Sequence, residues 1–470
     1  MKYGLIGEKL SHSYSVKVHN LLGNNEYDLC ELEPEKLDDF MRKKNFVGIN
    51  ITIPYKEKVL EYCELSPIAK KIGAINTIVN RDGKLYGYNT DYFGFLQMAR
   101  RKNISFKGMK VVILGTGGTS KTVTHVVVDE GAKEIVLVGR NPQIIKNIQN
   151  DKTFPNSENS PNSVNPSSCV NSTSSVKIQN VESITYKDIE KHYDAEIVIN
   201  TTPVGMYPNN EDDLLIDLNC FYNLKAAMDV IYNPMKTNFL LERHDIKTSS
   251  GIAMIVGQAI YSHNLFEKNK VTCASARDSI MLSSGDVYSE ESLISSMELS
   301  VEEKLETIIF QLEKEISNYV LVGMPGSGKT TIGRKLANIL NMKFVDTDEK
   351  ILELIGEPPE KIIKEKGEEE FRKIESEIIA KYGKLYGQVI ATGGGSVLLK
   401  ENRKALGQNG KIFFVERDIE KLHLQGRPLS SNIQKIYNER IEIYRGMAEY
   451  IVDNCSVENA VNQIVKALKM

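Results

Sequence analysis

Two periods alternate along the first hundred residues. Short apolar runs over residues 3–7 and 46–53 read as strands, and segments 35–44 and 91–101, with apolar residues every three or four positions, read as helices. That alternation predicts an α/β domain. Between residues 76 and 89 the pattern becomes strict alternation around Asp82-Gly83, a dipeptide suited to a tight hairpin turn because Gly accepts positive φ.

A second unit opens at Lys110. The strand KVVIL runs into Gly115-Thr-Gly-Gly-Thr-Ser120, a helix over residues 121–130 and a strand over 134–138, which is one βαβ unit. Residues 147–180 are rich in Asn, Ser and Pro, a composition that buries too little apolar surface to offset ordering entropy and so predicts a surface insertion. Strand patterns return at 195–200 and 226–232, and a helical one at 252–266. Residues 272–298, rich in Ser and acids, read as an interdomain connection. A helix over 300–317 follows, with Leu305, Ile308, Ile309, Leu312 and Ile316 on one face that calls for a packing partner. The third unit begins at Tyr319.

With 470 residues the chain exceeds one ordinary core, in keeping with this division. Its 41% apolar and 26% charged residues are the balance of a globular protein. A net charge of -3 points to no nucleic acid and no anionic membrane, so anion sites must be built locally. The six cysteines form no CxxC pair, which suggests reduced thiols and no zinc site or disulfide frame. No run approaches the ~18 apolar residues of a membrane span or forms a signal peptide, and a cytoplasmic location is expected.

The clearest chemistry lies in the third unit. Residues 319–322 feed Gly323-Met-Pro-Gly-Ser-Gly-Lys329-Thr330, a full GxxxxGK[ST] match, and a helix follows from Thr331. In that strand–loop–helix setting the backbone N–H groups of Gly326, Ser327 and Gly328 converge on phosphate, Lys329 reaches the β- and γ-phosphates of ATP and the Thr330 hydroxyl ligates Mg²⁺. Downstream come Asp346-Thr-Asp348, Phe371-Arg372-Lys-Ile-Glu375, Gly393-Gly-Gly-Ser-Val397, Gly426-Arg427-Pro-Leu429 and Asn438-Glu-Arg440. In this order they closely resemble shikimate kinase, over residues 319–470. The resemblance implies that Arg372 and Arg440 clamp the substrate carboxylate, Asp348 activates its hydroxyl, and Asp346 acts on Mg²⁺ through water. It also implies that Gly393, Gly394 and Gly395 line the acceptor pocket, and that Thr331 and the lid residue Arg427 belong to the ATP site.

In the first two units the candidates are Lys56, in Asn50-Ile-Thr-Ile-Pro-Tyr-Lys56, and Asp91, in Gly87-Tyr-Asn-Thr-Asp91. The glycine turn after residues 110–114 suits a dinucleotide pyrophosphate at a helix N-terminus, and Arg140 after the next strand favours the 2′-phosphate of NADP over the bare ribose of NAD. Together with Ser11-His-Ser13-Tyr-Ser15, Gly73-Ala-Ile-Asn76-Thr77, Asn200-Thr-Thr-Pro-Val-Gly-Met206, Asp229-Val-Ile-Tyr232 and Gly251-Ile-Ala-Met-Ile-Val-Gly-Gln258, these motifs closely resemble shikimate dehydrogenase, over residues 1–270. The resemblance implies Ser13 and Ser15 at the substrate carboxylate, Thr52, Asn76, Tyr232 and Gln258 at the ring, and Lys56 with Asp91 as the catalytic pair, without dividing acid and base between them. It places NADP(H) against Gly115, Gly117, Gly118, Thr119, Ser120, Arg140, Asn200, Thr201 and Gly251. Gly139 departs from the family's usual Asn.

The expected fold class is therefore α/β: an N-terminal α/β substrate domain (1–104 and about 240–270), a Rossmann-like NADP-binding domain (105–239), a linker (271–299) and a P-loop NTPase-type parallel-sheet kinase domain (300–470). The two resemblances share a metabolite, since reduction of 3-dehydroshikimate yields the shikimate that the kinase phosphorylates. Two alternatives stand beside this reading: a quinate or related polyol dehydrogenase joined to the kinase, or one half serving as a non-catalytic ligand-sensing module.

Overall fold

Alternating strands and helices dominate the computed structural model, which describes residues 1–10, 13–144, 180–243, 245–275, 298–422 and 433–468. The Asn/Ser-rich insertion lies outside these residues except at its last position, Asn180. The first sheet contains β1 (Tyr3–Gly7), β2 (Tyr27–Glu31), β3 (Gly48–Ile51), β4 (Glu64–Leu65), β5 (Thr77–Arg81) and β6 (Lys84–Tyr88), in the order β2-β1-β3-β5-β6-β4. β5 and β6 form the antiparallel hairpin expected around Asp82-Gly83, both of whose residues adopt positive φ.

The second sheet holds β7 (Lys110–Leu114), β8 (Glu134–Gly139), β9 (Asn180–Thr185), β10 (Ile197–Asn200), β11 (Ala226–Asp229) and β12 (Lys247–Ser250). Every ladder in it is parallel, in the order β12-β11-β10-β7-β8-β9. This is the doubly wound arrangement, in which the chain reverses direction across the sheet between β7 and β10 and opens a crevice beyond their carboxyl ends. The third sheet is also parallel: β13 (Asn318–Val322), β14 (Lys343–Asp346), β15 (Gln388–Ala391), β16 (Gly410–Glu416) and β17 (Tyr450–Asp453), ordered β14-β15-β13-β16-β17. β13 sends Val320 and Val322 into one buried cluster and Tyr319 and Leu321 into another, as a strand covered on both faces requires.

The chain divides into two compact units. Unit 1 comprises Met1–Met206, Asp213–Asn233 and Glu242–Leu312; unit 2 comprises Tyr207–Asp212, Pro234–Leu241 and Glu313–Met470. The helix expected over 300–317 spans Glu298–Ile316, and its apolar face is buried from Val301 through Ile316. The helix read over 252–266 extends to Ser275. No helix among the described residues is long and apolar enough to cross a membrane.

His19 is fully buried in unit 1, its ring stacked on Tyr27 with centroids 3.7 Å apart. Burial, reinforced by His263, lowers its pKa to about 3. An unfolded chain takes up that proton near the ordinary value of 6.5. Between the two values the unfolded state binds more protons, so stability falls as pH drops through this window, by about 1.4 kcal/mol per pH unit, and is untouched above it. His19→Phe is therefore expected to move the acid-unfolding midpoint, followed by tyrosine fluorescence, to lower pH.

Candidate active sites

The turn after β3 and the start of the helix Asp91–Arg101 bring Lys56 and Asp91 together. Lys56 Nζ lies 2.5 Å from Asp91 Oδ2, and the two side chains are 15% and 10% exposed. Asp91 occupies the first helical turn, where the positive end of the helix dipole favours a carboxylate. The carbonyl of Lys56 accepts from the Ile75 N–H at 2.9 Å, which ties this turn to Asn76. Asn76 is buried; its Oδ1 accepts from the Thr90 N–H at 2.7 Å and its Nδ2 donates to Thr90 Oγ1 at 3.0 Å and Gln258 Oε1 at 3.4 Å.

A second polar group forms at the start of the helix Ser15–Leu21. The Ser13 hydroxyl donates to Ser15 Oγ at 3.0 Å. Tyr232, just past β11, has its phenol pKa raised by burial while the neighbouring Ser13 side chain opposes the shift. Tyr27 and Asn50 join the two groups. Burial raises the Tyr27 phenol pKa, with Tyr232 adding to the shift; Tyr27 donates to Asn50 Oδ1 at 2.7 Å, and Asn50 Nδ2 donates to the Asn76 carbonyl at 3.2 Å. Thr52 follows β3 directly, its N–H bonded to the Ile6 carbonyl at 3.0 Å.

Beside this cluster lies a cavity of about 440 Å³ at the β7/β10 crevice. Its walls include Lys56, the turn residues Gly115, Gly117, Gly118 and Thr119, then Arg140, Tyr186 and Thr201. Gly115 adopts φ +116, and a Cβ there would lie 2.5 Å from Thr201 Oγ1, so the turn needs glycine on both counts. The helix Gly118–Asp129 starts here with no acidic residue in its first turn, leaving its amide donors and dipole open to an anion. Of the other residues assigned to the cofactor, the Ser120 hydroxyl donates to the Gly115 carbonyl at 2.8 Å, Asn200 is buried and bonded to Asp229 and Thr202, and Gly251 sits where a Cβ would lie 2.0 Å from the Val230 carbonyl oxygen.

In unit 2 the P-loop joins β13 to the helix Lys329–Leu340. Gly323, Gly326 and Gly328 all adopt positive φ. Lys329 is buried, with Nζ donating to the Gly323 and Met324 carbonyls at 2.9 Å each. Thr330 Oγ1 donates to Asp346 Oδ2 at 2.7 Å, while Asp346 Oδ1 caps the next helix through the Asp348 N–H at 3.0 Å. Thr331 lies exposed one residue further on.

The acceptor side is built around Glu375, which is fully buried. Its carboxylate accepts from Arg372 at 2.5 Å and from the Ser396 hydroxyl at 2.6 Å. Burial opposes the Arg372 charge, but Glu375 and Glu368 more than restore it, and its pKa is raised. A Cβ at Gly395 would lie 2.1 Å from the Arg372 guanidinium, and one at Gly393 would crowd Glu375 and Asp348. Tyr444 donates to the Gly394 carbonyl, and burial pushes its phenol up to about 12, although Arg440 and Arg372 oppose the shift. Arg440 is 7% exposed and its Nε has no hydrogen-bond partner among the described residues, a buried cationic donor that suits an anionic ligand. Arg427 lies outside the described residues.

The structure thus assembles the Lys56–Asp91 pair, the glycine turn with Arg140, and the P-loop with Asp346. It adds Thr90, Asn50 and Tyr27 around Asn76, Tyr186 beside Arg140, and Glu375 with Ser396 behind Arg372. Asn50, Thr90, Glu375 and Ser396 each lie inside a motif that carries an assigned residue, whereas Tyr27 and Tyr186 had no sequence cue.

Residues 5–78 match the family model for the shikimate dehydrogenase substrate binding domain, and residues 325–469 match that for shikimate kinase. Over 285 residues the chain is 39% identical to a shikimate dehydrogenase (NADP(+)) of Clostridium beijerinckii, covering 57% of this chain and 94% of the relative. The corresponding enzyme of Clostridium perfringens is 34% identical over 280 residues, 57% of this chain and 93% of the relative. Among solved structures, shikimate dehydrogenase 1 from Peptoclostridium difficile is 30% identical and covers 66% of this chain and 98% of that one, with a TM-score of 0.49.

Proposed function

Because the chain belongs to the shikimate dehydrogenase family and carries a shikimate kinase domain in residues 325–469, we propose that it performs two consecutive steps of the shikimate pathway. The first reduces 3-dehydroshikimate to shikimate with NADPH; the second transfers the γ-phosphoryl group of ATP to shikimate, giving shikimate 3-phosphate. The chain is an oxidoreductase and a kinase in one polypeptide, and its substrates are small molecules. Supply of both cosubstrates suits a cytoplasmic enzyme. Residues 1–104 and about 240–270 serve as the substrate domain, and residues 105–239 carry the cofactor.

The observation that carries the dehydrogenase reading is the position of Lys56, which both pairs with Asp91 and lines the nucleotide cavity. Bound NADPH supplies the hydride. Lys56 and Asp91 hold the ketone oxygen and provide its proton, so that charge building on that oxygen is neutralised as it forms. Ser13 and Ser15 bind the substrate carboxylate, while Thr52, Asn76, Tyr232 and Gln258 fix the ring against the cavity. Gly115, Gly117, Gly118, Thr119 and Ser120 take the pyrophosphate, Arg140 takes the 2′-phosphate, and Asn200, Thr201 and Gly251 border the rest of the cofactor.

In the kinase, Arg372 and Arg440 grip the shikimate carboxylate between Gly393, Gly394 and Gly395, a task suited to paired guanidinium forks. Asp348 accepts the proton of the attacking hydroxyl. Gly326, Ser327 and Gly328 offer backbone donors to the phosphates, Lys329 and the lid residue Arg427 neutralise the transferring group, and Thr331 borders the nucleotide. Thr330 would ligate Mg²⁺ and Asp346 would act on it through water; the two side chains lie 2.7 Å apart, and both offer the hard oxygens that Mg²⁺ prefers.

The purified chain is expected to reduce NADP⁺ with shikimate, to use NAD⁺ more poorly, and to consume ATP only when shikimate is present. Faster oxidation of quinate than of shikimate, or shikimate binding without turnover in either half, would replace this reading.

A further inference from the structure

The helix Gly118–Asp129 opens at the glycine turn and runs beside the elements that carry Lys56 and Asp91, and all of them belong to unit 1. Polar contacts fasten it at three levels. In its first turn Lys121 Nζ lies 3.2 Å from Glu57 Oε1, and Glu57 follows Lys56 in the chain. At its last residue Asp129 accepts from Lys71 Nζ at 2.6 Å and from the Tyr92 hydroxyl at 2.9 Å. Each of these ion pairs has a half-exposed partner, Glu57 at 50% and Lys71 at 47%, so solvent screens them and they hold position weakly.

The contact between them is buried. Asn89 is 1% exposed and Thr122 is 2% exposed. Asn89 Nδ2 donates to Thr122 Oγ1 at 3.2 Å and to the Ala74 carbonyl at 2.9 Å, while its Oδ1 accepts from the Tyr92 N–H at 3.1 Å. The Thr122 hydroxyl donates in turn to the Gly118 carbonyl at 3.3 Å.

One side-chain amide thus ties three parts of the site together. Its oxygen holds the first turn of the helix that begins at Asp91. One of its donors holds Ala74, whose neighbour Ile75 bonds the Lys56 carbonyl at 2.9 Å. The other reaches, through Thr122, the turn that walls the cofactor cavity. Both amide hydrogens are used, and at this burial water cannot replace a lost partner. Hydride transfer needs the reacting atoms about 3–3.5 Å apart, and a misplacement of about 1 Å can slow a reaction about 100-fold. From this geometry we infer that Asn89 and Thr122 are positioning residues for hydride transfer, setting the separation between the cofactor turn and the Lys56–Asp91 pair. They act through the elements they join. The inference rests on the proposed roles of that turn and that pair.

The test is single-turnover oxidation of shikimate by the full chain, with NADPH absorbance followed after rapid mixing. Thr122→Val keeps the shape of the side chain and removes the hydroxyl. It is expected to lower the rate constant for NADPH formation about tenfold, with the amplitude and the Kd for NADP⁺ within about twofold of wild type. Thr122→Ser, which restores the hydroxyl, is expected to return the rate constant to within about twofold. A Thr122→Val rate constant within about twofold of wild type overturns the inference whatever the amplitude or Kd, because a residue that merely stabilises the fold changes the amount of active protein and not its rate. If Thr122→Val does not fold, Thr122→Ala is judged by the same outcomes. A wild-type chain that forms no NADPH from shikimate and NADP⁺ removes the functional reading and this inference with it, whereas an active wild type beside an unaltered variant removes this inference alone.

Discussion

Lys329→Ala is expected to lower kcat for shikimate phosphorylation by about 100-fold to 1,000-fold while leaving NADP⁺-dependent shikimate oxidation at the wild-type rate. The ammonium is buried and held by two P-loop carbonyls at 2.9 Å, so it stands ready where phosphate charge accumulates and needs no reorganisation to act. In water such a charge is screened; in this enclosure it is not. A coupled assay of ADP formation measures the loss, and the oxidation rate of the same sample shows that unit 1 is intact. Kinase activity within tenfold of wild type would exclude Lys329 from the phosphate site.

The second large effect falls on the other reaction. Lys56→Ala is expected to reduce kcat for shikimate oxidation by about 100-fold to 10,000-fold, the span of a lost general acid–base group, with the kinase unaffected. Stability needs separate control, because removing one member of a buried ion pair leaves its partner charged and desolvated. At 10% exposure Asp91 is such a partner, so Lys56→Ala alone is expected to lower the melting temperature as well. The double variant Lys56→Met/Asp91→Asn removes both charges and is expected to recover the melting temperature without recovering activity. It should also be no slower than the worse single variant, because residues that act as one device are not additive. Recovered activity in the double variant would make the pair structural.

Much of each site is legible in the sequence. The P-loop, the glycine turn and the hairpin at Asp82-Gly83 are local devices: their backbone angles and their strand–turn–helix settings are written in consecutive residues, and each forms where the pattern places it. Arg372 and Lys56 were legible only through motifs, since a charged residue on a polar stretch is ordinarily solvated. What holds them was less visible. Thr90 and Asn50 sit in the motifs of Asp91 and Lys56 without an assigned role and Tyr27 lies outside them; they matter because folding buries Thr90 and Asn50 against Asn76, and Tyr27 against Asn50, and obliges each to find a partner.

Periodicity and turn chemistry by themselves determined the alternation of strands and helices, the βαβ and P-loop signatures, and that each half would take a nucleotide phosphate, because these depend on interactions within a few residues. Only the tertiary structure decided that Glu375 would stand behind Arg372 and reach Ser396, that Lys56 would serve both the Asp91 pair and the cofactor cavity, and that Gln408 would grip Asn210 and Asn238 across separations of 198 and 170 residues. Such pairings follow from which polar groups are buried together, and burial is a property of the packed chain that no local pattern records.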